Sequence, residues 1–426
     1  MSDRDSIGQS EEGRPIPLLM GGPESAPVRV LVVAGQHGDE RNASRAARAF
    51  ARMAIPLARL AVVPVLNPDG ANRRERRNAR GVDLNRDHQR LESTEVRALH
   101  AFVRAWRPHL VVDVHTYPSR RKRLLEHDLV HCHDVFLDHP THPGVSPEAT
   151  ETASDLVRET IAALHCKGFR SARYVVLTST GRVRHSTSSV ADARNGLALR
   201  YGVPTLLLEG RQPTRSDSPP ERARLREATR TALDTVVRWA ERNQDILTSR
   251  LGATEPGEQV TVRFRRARGA AQCRLAFRDA VSSAIREVHI PGAFVTGVRA
   301  TRDVMLPVAY AVPTSHRALL DLLARHGFPT LPTASAVERV ERYRVRLMEP
   351  IRQARRPPRR MEVDMVVDAA SLTGHVLLPV AGEGGRALAV FLEPQSRYGL
   401  HRLHQMQLAL GYDVSYPILR VSPQER

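Results

Sequence analysis

The sequence predicts an α/β domain followed by a second, α+β domain. Three observations carry this reading. Short apolar runs alternate with amphipathic helical stretches from Val28 to about residue 250, the pattern of α/β proteins. Those apolar runs end in ionisable or turn-forming residues. Beyond residue 250 the pattern changes to strand-like alternation with one clear helix.

Residues 1–26 are polar and read as a flexible lead-in. "VRVLVVA" (Val28–Ala34) is a buried strand, and the alanine-rich "ERNASRAARAFARMA" after it has helical spacing. "LARLAVVPVLNPDG" is a strand that stops in an Asn-Pro-Asp-Gly turn. "ESTEVRALHAFVRAW" is an amphipathic helix with acidic residues at its start, where they suit the helix dipole. "PHLVVDVHTYP" and "VPTLLLEGR" are two more buried strands, and a long helix runs from Glu221 to Leu247. In the second domain "EQVTVRFRRA", "AVERVERYRVRLME" and "MEVDMVVDA" read as strands, "SHRALLDLLARHG" as a helix and "RQARRPPRR" as a basic spacer. The expected division is therefore 1–26, 27–250 and 251–426.

Composition narrows the function classes. The 426 residues carry a net charge of +18, and arginine supplies nearly all of it, since lysine occurs only at Lys122 and Lys167. Aromatic residues make up 4%, and no zinc finger or aromatic–basic interleaving is present, so a solvated arginine-rich surface is expected and no specific nucleic-acid partner. Three scattered cysteines exclude a disulfide scaffold and a paired-cysteine zinc site. The polar N-terminus has no apolar signal core and no run of 18 apolar residues occurs, so no membrane span is expected and the expected location is cytoplasmic.

Four strand ends carry chemistry: His37 with Glu40, Asn67 with Asp69, His115, and Glu209. In open α/β sheets the ligand crevice lies at the carboxyl ends of the strands. Two histidines and a carboxylate make the protein ligand set of a catalytic zinc, here His37, Glu40 and His115. Glu209, at the end of "TLLLE", is placed to act as a general base beside them. The arginine-rich "NRRERRNARGVDLNR" between the ligands supplies groups for clamping a carboxylate or steadying an oxyanion. Plainer readings exist for each residue alone: a turn and helix start for His37 and Glu40, solvated arginines, an ion pair with Arg211 for Glu209. The histidine-rich "EHDLVHCHDVFLDHPTHPG" (126–144) fits no standard zinc spacing and reads as an insertion loop near the mouth of the site.

Taken together and in order, "HGDE", "NPDG", "GVDLNR", "DVHTYP" and "LLLEGR" resemble the M14 zinc carboxypeptidase family and its amidohydrolase relatives, over roughly residues 28 to 212. The resemblance implies a mixed eight-stranded-type sheet flanked by helices and one zinc per chain, held by His37, Glu40 and His115. It makes Glu209 general base and then general acid, and makes Asn85 and Arg86 the grip on a substrate's terminal carboxylate. Arg76 would polarise the scissile carbonyl, with Arg77 the alternative register, and Asp83 would partner a ligand histidine. The implied substrate is a peptide or acyl-amino acid with a free carboxylate. A deacylase or amidase of small N-acyl amino acids, or of γ-glutamyl or peptidoglycan-type amides, is the alternative, and a non-catalytic zinc-pocket binding protein a further one. The stretch "RHSTSSVADARN" lacks the family's mobile tyrosine, which leaves His185 or Arg194 to cap the substrate. Arg194 is also placed to select an acidic C-terminal side chain.

Overall fold

The computed structural model describes residues 6–52, 58–177, 183–185, 188–215, 217–249, 252–268, 273–290, 295–333, 337–348, 361–403 and 415–422. The predicted spacer "RQARRPPRR" and the side chain of His185 lie outside the described residues. Residues 6–21, expected as a flexible lead-in, form three short strands, β1 (Ser6–Gln9), β2 (Pro15–Pro17) and β3 (Leu19–Gly21). The segment is held because Ser10 Oγ donates to the buried Asp69 at 2.8 Å and Ile16 is fully enclosed. Single polar residues hide such ties in the sequence.

A mixed sheet forms the centre. Its strands are β3, β4 (Val28–Ala34), β5 (Ala58–Val63), β6 (Leu110–Tyr117), β8 (Val135–Asp138), β9 (Ser171–Arg173) and β12 (Thr205–Arg211), in the spatial order β3-β5-β4-β6-β12-β8-β9. β5, β4, β6 and β12 run parallel, β3 pairs antiparallel with β5 and β8 antiparallel with β12, and β9 runs parallel to β8. Among the described residues this sheet has seven strands rather than eight, because beyond β9 the chain leaves it at Tyr174. β10 (Val175–Leu177) and β11 (Val183–His185) join a second sheet instead. The segment 126–144, read as an insertion loop, in fact contains β7 (Leu129–His131) and the fully buried β8 of the central sheet.

Both faces of the sheet are covered, as near-continuous apolar strands require. On one face α1 (Arg41–Phe50), α5 (Pro147–Cys166) and α7 (Pro219–Arg242) bury Phe50, Leu156, Val236 and Trp239 against alternate residues of β4, β6 and β12. α5 and α7 start with a serine whose side chain accepts a hydrogen bond from the third helical N–H and with a proline in the first turn. The predicted long helix ends at Arg242; Asn243 breaks it before the short α8 (Gln244–Thr248). The other face is covered by α3 (Thr94–Trp106) and α6 (Ala193–Tyr201); the short α2 (Pro68–Arg73) precedes α3 in the chain, and the short α4 (Lys122–Leu125) follows β6.

The second half is richer in strands than expected. From β13 (Ala253–Thr254) to β17 (Val295–Met305) it contributes β14 (Gln259–Arg268) and β17 to the sheet of β10 and β11, and β15 (Cys273–Asp279) pairs with β7 and with β16 (Ile285–Ile290). A six-stranded antiparallel sheet follows, built from β18 (Ala309–Pro313), β19 (Leu331–Pro332), β20 (Val337–Met348), β21 (Met361–Ser371), β22 (His375–Pro379) and, after β23 (Gly382–Glu383), β24 (Leu419–Val421). Besides the expected helix α9 (Arg317–Arg325) it has α10 (Gly385–Leu392). One hydrophobic cluster runs from Leu99 and Leu197 through Leu323 to Leu388, crossing residue 250 without a break.

Candidate metal centre and active site

The loop after β4 sets the first two groups. Gly35 has φ +65°, and a Cβ there would lie 2.7 Å from Ser44 Oγ and 3.0 Å from Val65 Cα, so glycine is needed for this turn. Gly38 packs directly on the loop after β5: a Cβ would lie 2.0 Å from the Gly70 carbonyl carbon. That loop is the Asn-Pro-Asp-Gly turn, in which Asn67 caps α2 by accepting from Gly70 N–H at 2.8 Å and donates to the Gln36 carbonyl oxygen at 3.3 Å. Fixed this way, His37 and Glu40 are buried and face inward.

β6 brings His115 to the same point. His37 Nδ1 is 2.6 Å from Glu40 Oε1 and His115 Nδ1 is 3.0 Å from Glu40 Oε2, and one donor atom from each of the three lies within 4.8 Å of the others. The outer nitrogens are occupied: His37 Nε2 meets Asp83 at 3.1 Å and His115 Nε2 meets Asp113 at 3.0 Å. Carboxylates there fix each tautomer and leave Nδ1 turned inward. Burial raises the Glu40 pKa, but the charge of His115 and hydrogen bonds from both histidines outweigh it, and the carboxyl is held well below its usual range. Two imidazole nitrogens and a carboxylate converging on one point fit zinc in chemistry and in number.

Glu209 stands beside this cluster because β12 runs parallel to β6 with Glu209 opposite His115. Burial pushes its pKa up, the His115 charge opposes that, and Glu40 and Asp113 push further, to about 7. His37, Glu40 and Glu209 line a cleft of about 450 Å³.

The arginines behave less uniformly. Arg76 lines the cleft with Nε and Nη2 each 3.1 Å from Asp83 Oδ2, and Nη1 is 3.8 Å from Glu40. Arg77 donates instead to the Gly81 carbonyl oxygen at 2.7 Å. Arg86 lines the cleft and donates to the Asn85 carbonyl oxygen at 2.5 Å. Asn85 also lines it, but its side chain is committed within the protein: Oδ1 accepts from Ala193 N–H at 2.8 Å and Nδ2 lies 3.1 Å from His115 Nε2. Arg194 departs from expectation most. It borders the cleft, yet Nη1 donates to Asp138 at 2.5 Å, and Arg173 holds the other oxygen of that fully buried carboxylate at 2.7 Å. A carboxylate buried to this degree needs its cations, so Arg194 has a structural partner that the sequence reading did not place.

Several contributors escaped the sequence reading. Asp113 is one; its signal was the two-residue spacing to His115, which puts both on one face of a strand. Behind it runs a chain of buried polar groups. Gln36 Nε2 donates to Asp113 at 2.7 Å, Gln36 Oε1 is 3.0 Å from His88 Nε2, His88 Nδ1 is 3.1 Å from His100 Nε2, and His100 Nδ1 is 2.9 Å from the Tyr201 hydroxyl. Burial depresses the His88 pKa to about 4 and drives that of His100 well down, so both rings are neutral. Tyr174, one of the two tyrosines nearest the stretch that lacks the mobile one, lines the cleft with Arg121.

Residues 1–120 match the zinc carboxypeptidase family model, Peptidase M14. That family is zinc-dependent, and among the described residues His37, Glu40 and His115 form the group that could hold a metal. No curated protein sequence matches the chain. Among solved structures, it resembles a metallo-carboxypeptidase from Burkholderia cenocepacia at 23% identity over 55% of this chain and 62% of that one, with a TM-score of 0.41. A metallo-carboxypeptidase from Pseudomonas aeruginosa in complex with (2-guanidinoethylmercapto)succinic acid is similar at 22% identity, 56% and 64% coverage, and a TM-score of 0.42. The murein-tripeptide amidase MpaA from Escherichia coli O157 follows at 16% identity, 55% and 90% coverage, and a TM-score of 0.32. The chain thus spans under two thirds of the length of the two carboxypeptidases.

Proposed function

We propose that the chain is a zinc-dependent carboxypeptidase-type hydrolase that cleaves an amide bond beside a free carboxylate. The observation that carries this reading is the convergence of His37, Glu40 and His115, with Glu209 opposite His115, beside a cleft that His37, Glu40 and Glu209 line. One zinc per chain, held by those three residues, would supply Lewis acidity to the scissile carbonyl and to water. Glu209, raised to about 7, accepts a proton from the attacking water near neutral pH and returns it to the leaving nitrogen. Arg86 takes the terminal carboxylate, and Arg76 steadies negative charge on the carbonyl oxygen, held in place by Asp83. Asp83 and Asp113 keep the two imidazoles in the tautomer that binds metal.

The test is metal content and hydrolysis of a mixed panel, peptides with free C-termini and N-acyl amino acids, by the wild type and by Glu209→Gln. One zinc in both proteins with turnover only in the wild type is the expected result. Absence of bound zinc from the wild type would sink the ligand assignment, and stoichiometric zinc without turnover would favour a binding protein.

A further inference from the structure

We propose that His88 is a positioning residue for the metal centre: a one-way row of hydrogen bonds from Tyr201 through His100 and His88 to Gln36 fixes Asp113, and through it the ring of His115. The proposal rests on the metal-ligand assignment above and on no step of the hydrolysis.

The direction of the row follows from chemistry, starting at the metal end. Asp113 Oδ1 receives Gln36 Nε2 at 2.7 Å and His115 Nε2 at 3.0 Å. A carboxylate only accepts, so Gln36 turns its amide nitrogen to Asp113 and its oxygen to His88. That oxygen needs a donor, so His88 carries its proton on Nε2, 3.0 Å away. A neutral imidazole has a single N–H, which leaves His88 Nδ1 to accept from His100 Nε2 at 3.1 Å. By the same rule His100 Nδ1 accepts from the Tyr201 hydroxyl at 2.9 Å. Every donor in the row therefore points toward Asp113.

Asp113 depends on this row. Its Oδ2 is buried without a hydrogen-bond partner, so among the described residues Gln36 is the one side chain besides His115 that holds the carboxylate. Close packing keeps the row from swinging. A Cβ on Gly196 would lie 2.8 Å from His88 Cβ, and His326 of the second half stands edge-on to His100 with ring centroids 5.8 Å apart. His88 and His100 are fully enclosed and neither lines the cleft, so the row does not meet substrate. Buried hydrogen bonds between neutral groups add little stability over an apolar core of the same shape, and a half-satisfied network is worse than none. A row this complete, ending on the carboxylate that partners a metal ligand, has its use in orienting that ligand.

The test is the zinc dissociation constant, by chelator competition, together with the visible spectrum of the cobalt-substituted protein, which reads ligand geometry. His88→Leu breaks the row, whereas His88→Gln restores a donor to Gln36 and an acceptor for His100. Tyr201→Phe removes the far donor alone. Val103→Ala, on the same helix as His100 but outside the row, shows what lost packing does by itself. His88→Leu is expected to bind zinc about tenfold more weakly, with an altered cobalt spectrum, and His88→Gln within about threefold of the wild type. Val103→Ala should keep the wild-type constant at a lower melting temperature. A wild-type constant in His88→Leu, or an equal loss in His88→Gln or Val103→Ala, would overturn the proposal. If His88→Leu does not fold, Tyr201→Phe decides: a loss of about threefold supports the row, and an unchanged constant and spectrum overturn it. No zinc in the wild type would overturn the ligand assignment and the proposal with it. The expected zinc constants without any turnover would support the row and remove the hydrolase reading instead.

Discussion

Asp113 and His115 lie two residues apart on β6, and the buried Asp113 carboxylate accepts a hydrogen bond from His115 Nε2 at 3.0 Å. The pair puts a metal-facing nitrogen and the group that orients it on the same strand face, with Gln36 holding the carboxylate in turn. Asp113→Asn keeps the shape and removes the charge. Its zinc affinity, measured by chelator competition, is expected to fall by about 10–100-fold with little change in melting temperature. An unchanged dissociation constant would reduce Asp113 to a packing residue.

Glu209 sits opposite His115 in the β6–β12 register but outside the metal-facing trio. Glu209→Gln should therefore retain zinc and lose turnover by a factor of roughly 10²–10⁴. In the wild type the acid form of Glu209 is inactive as a base. Its raised pKa of about 7 in the metal-free protein, drawn down by a bound cation, places the acid limb of the pH–rate profile below pH 7. A rate independent of pH between 5 and 7 would exclude Glu209 as the base.

Gly38 and Gly70 clamp the two loops that aim the ligands. Gly38 has no left-handed backbone requirement, so alanine there acts through space alone, against backbone 2.0 Å away. Gly38→Ala must push the loops apart, at a cost of about 1–3 kcal/mol or more. Loss of zinc stoichiometry together with a lowered melting temperature is expected; wild-type values for both would contradict the packing.

How legible the site was depends on where each partner lies in sequence. His37, His115 and Glu209 each close an apolar run, so strand pattern alone puts them at one edge of a sheet. Asp113 sits inside such a run, where a single acid carries no motif until its partner is placed. The Arg194 ion pair was illegible for a different reason: its partner Asp138 is 56 residues away, and nothing local reveals the pairing. Arg194→Met should then act on stability rather than on substrate choice. It removes one of two cations from a buried carboxylate, at a cost of roughly 3–5 kcal/mol, less whatever Arg173 retains. Urea unfolding checks the loss, and a changed C-terminal side-chain preference in a still stable variant would restore the specificity role.

The buried histidines make an acid-sensitive core. Burial holds His88 to about 4 and His142, His326 and His401 to about 3, all below the 6.5 of the free side chain. With folded values below unfolded ones, the unfolded chain takes up protons first as pH falls. The stability contributed by neutral burial is therefore complete above pH 6.5 and is lost progressively below it. At pH 5.5 each group withdraws about 1.4 kcal/mol, and the four together roughly 6 kcal/mol, comparable with the whole stability of an ordinary domain. Urea midpoints at pH 7.5, 6.5 and 5.5 should fall steeply over the last interval, and His326→Gln, which removes one titrating ring, should make the fall shallower. A midpoint that stays level down to pH 5.5 would mean that these rings are already charged or solvated in the folded protein.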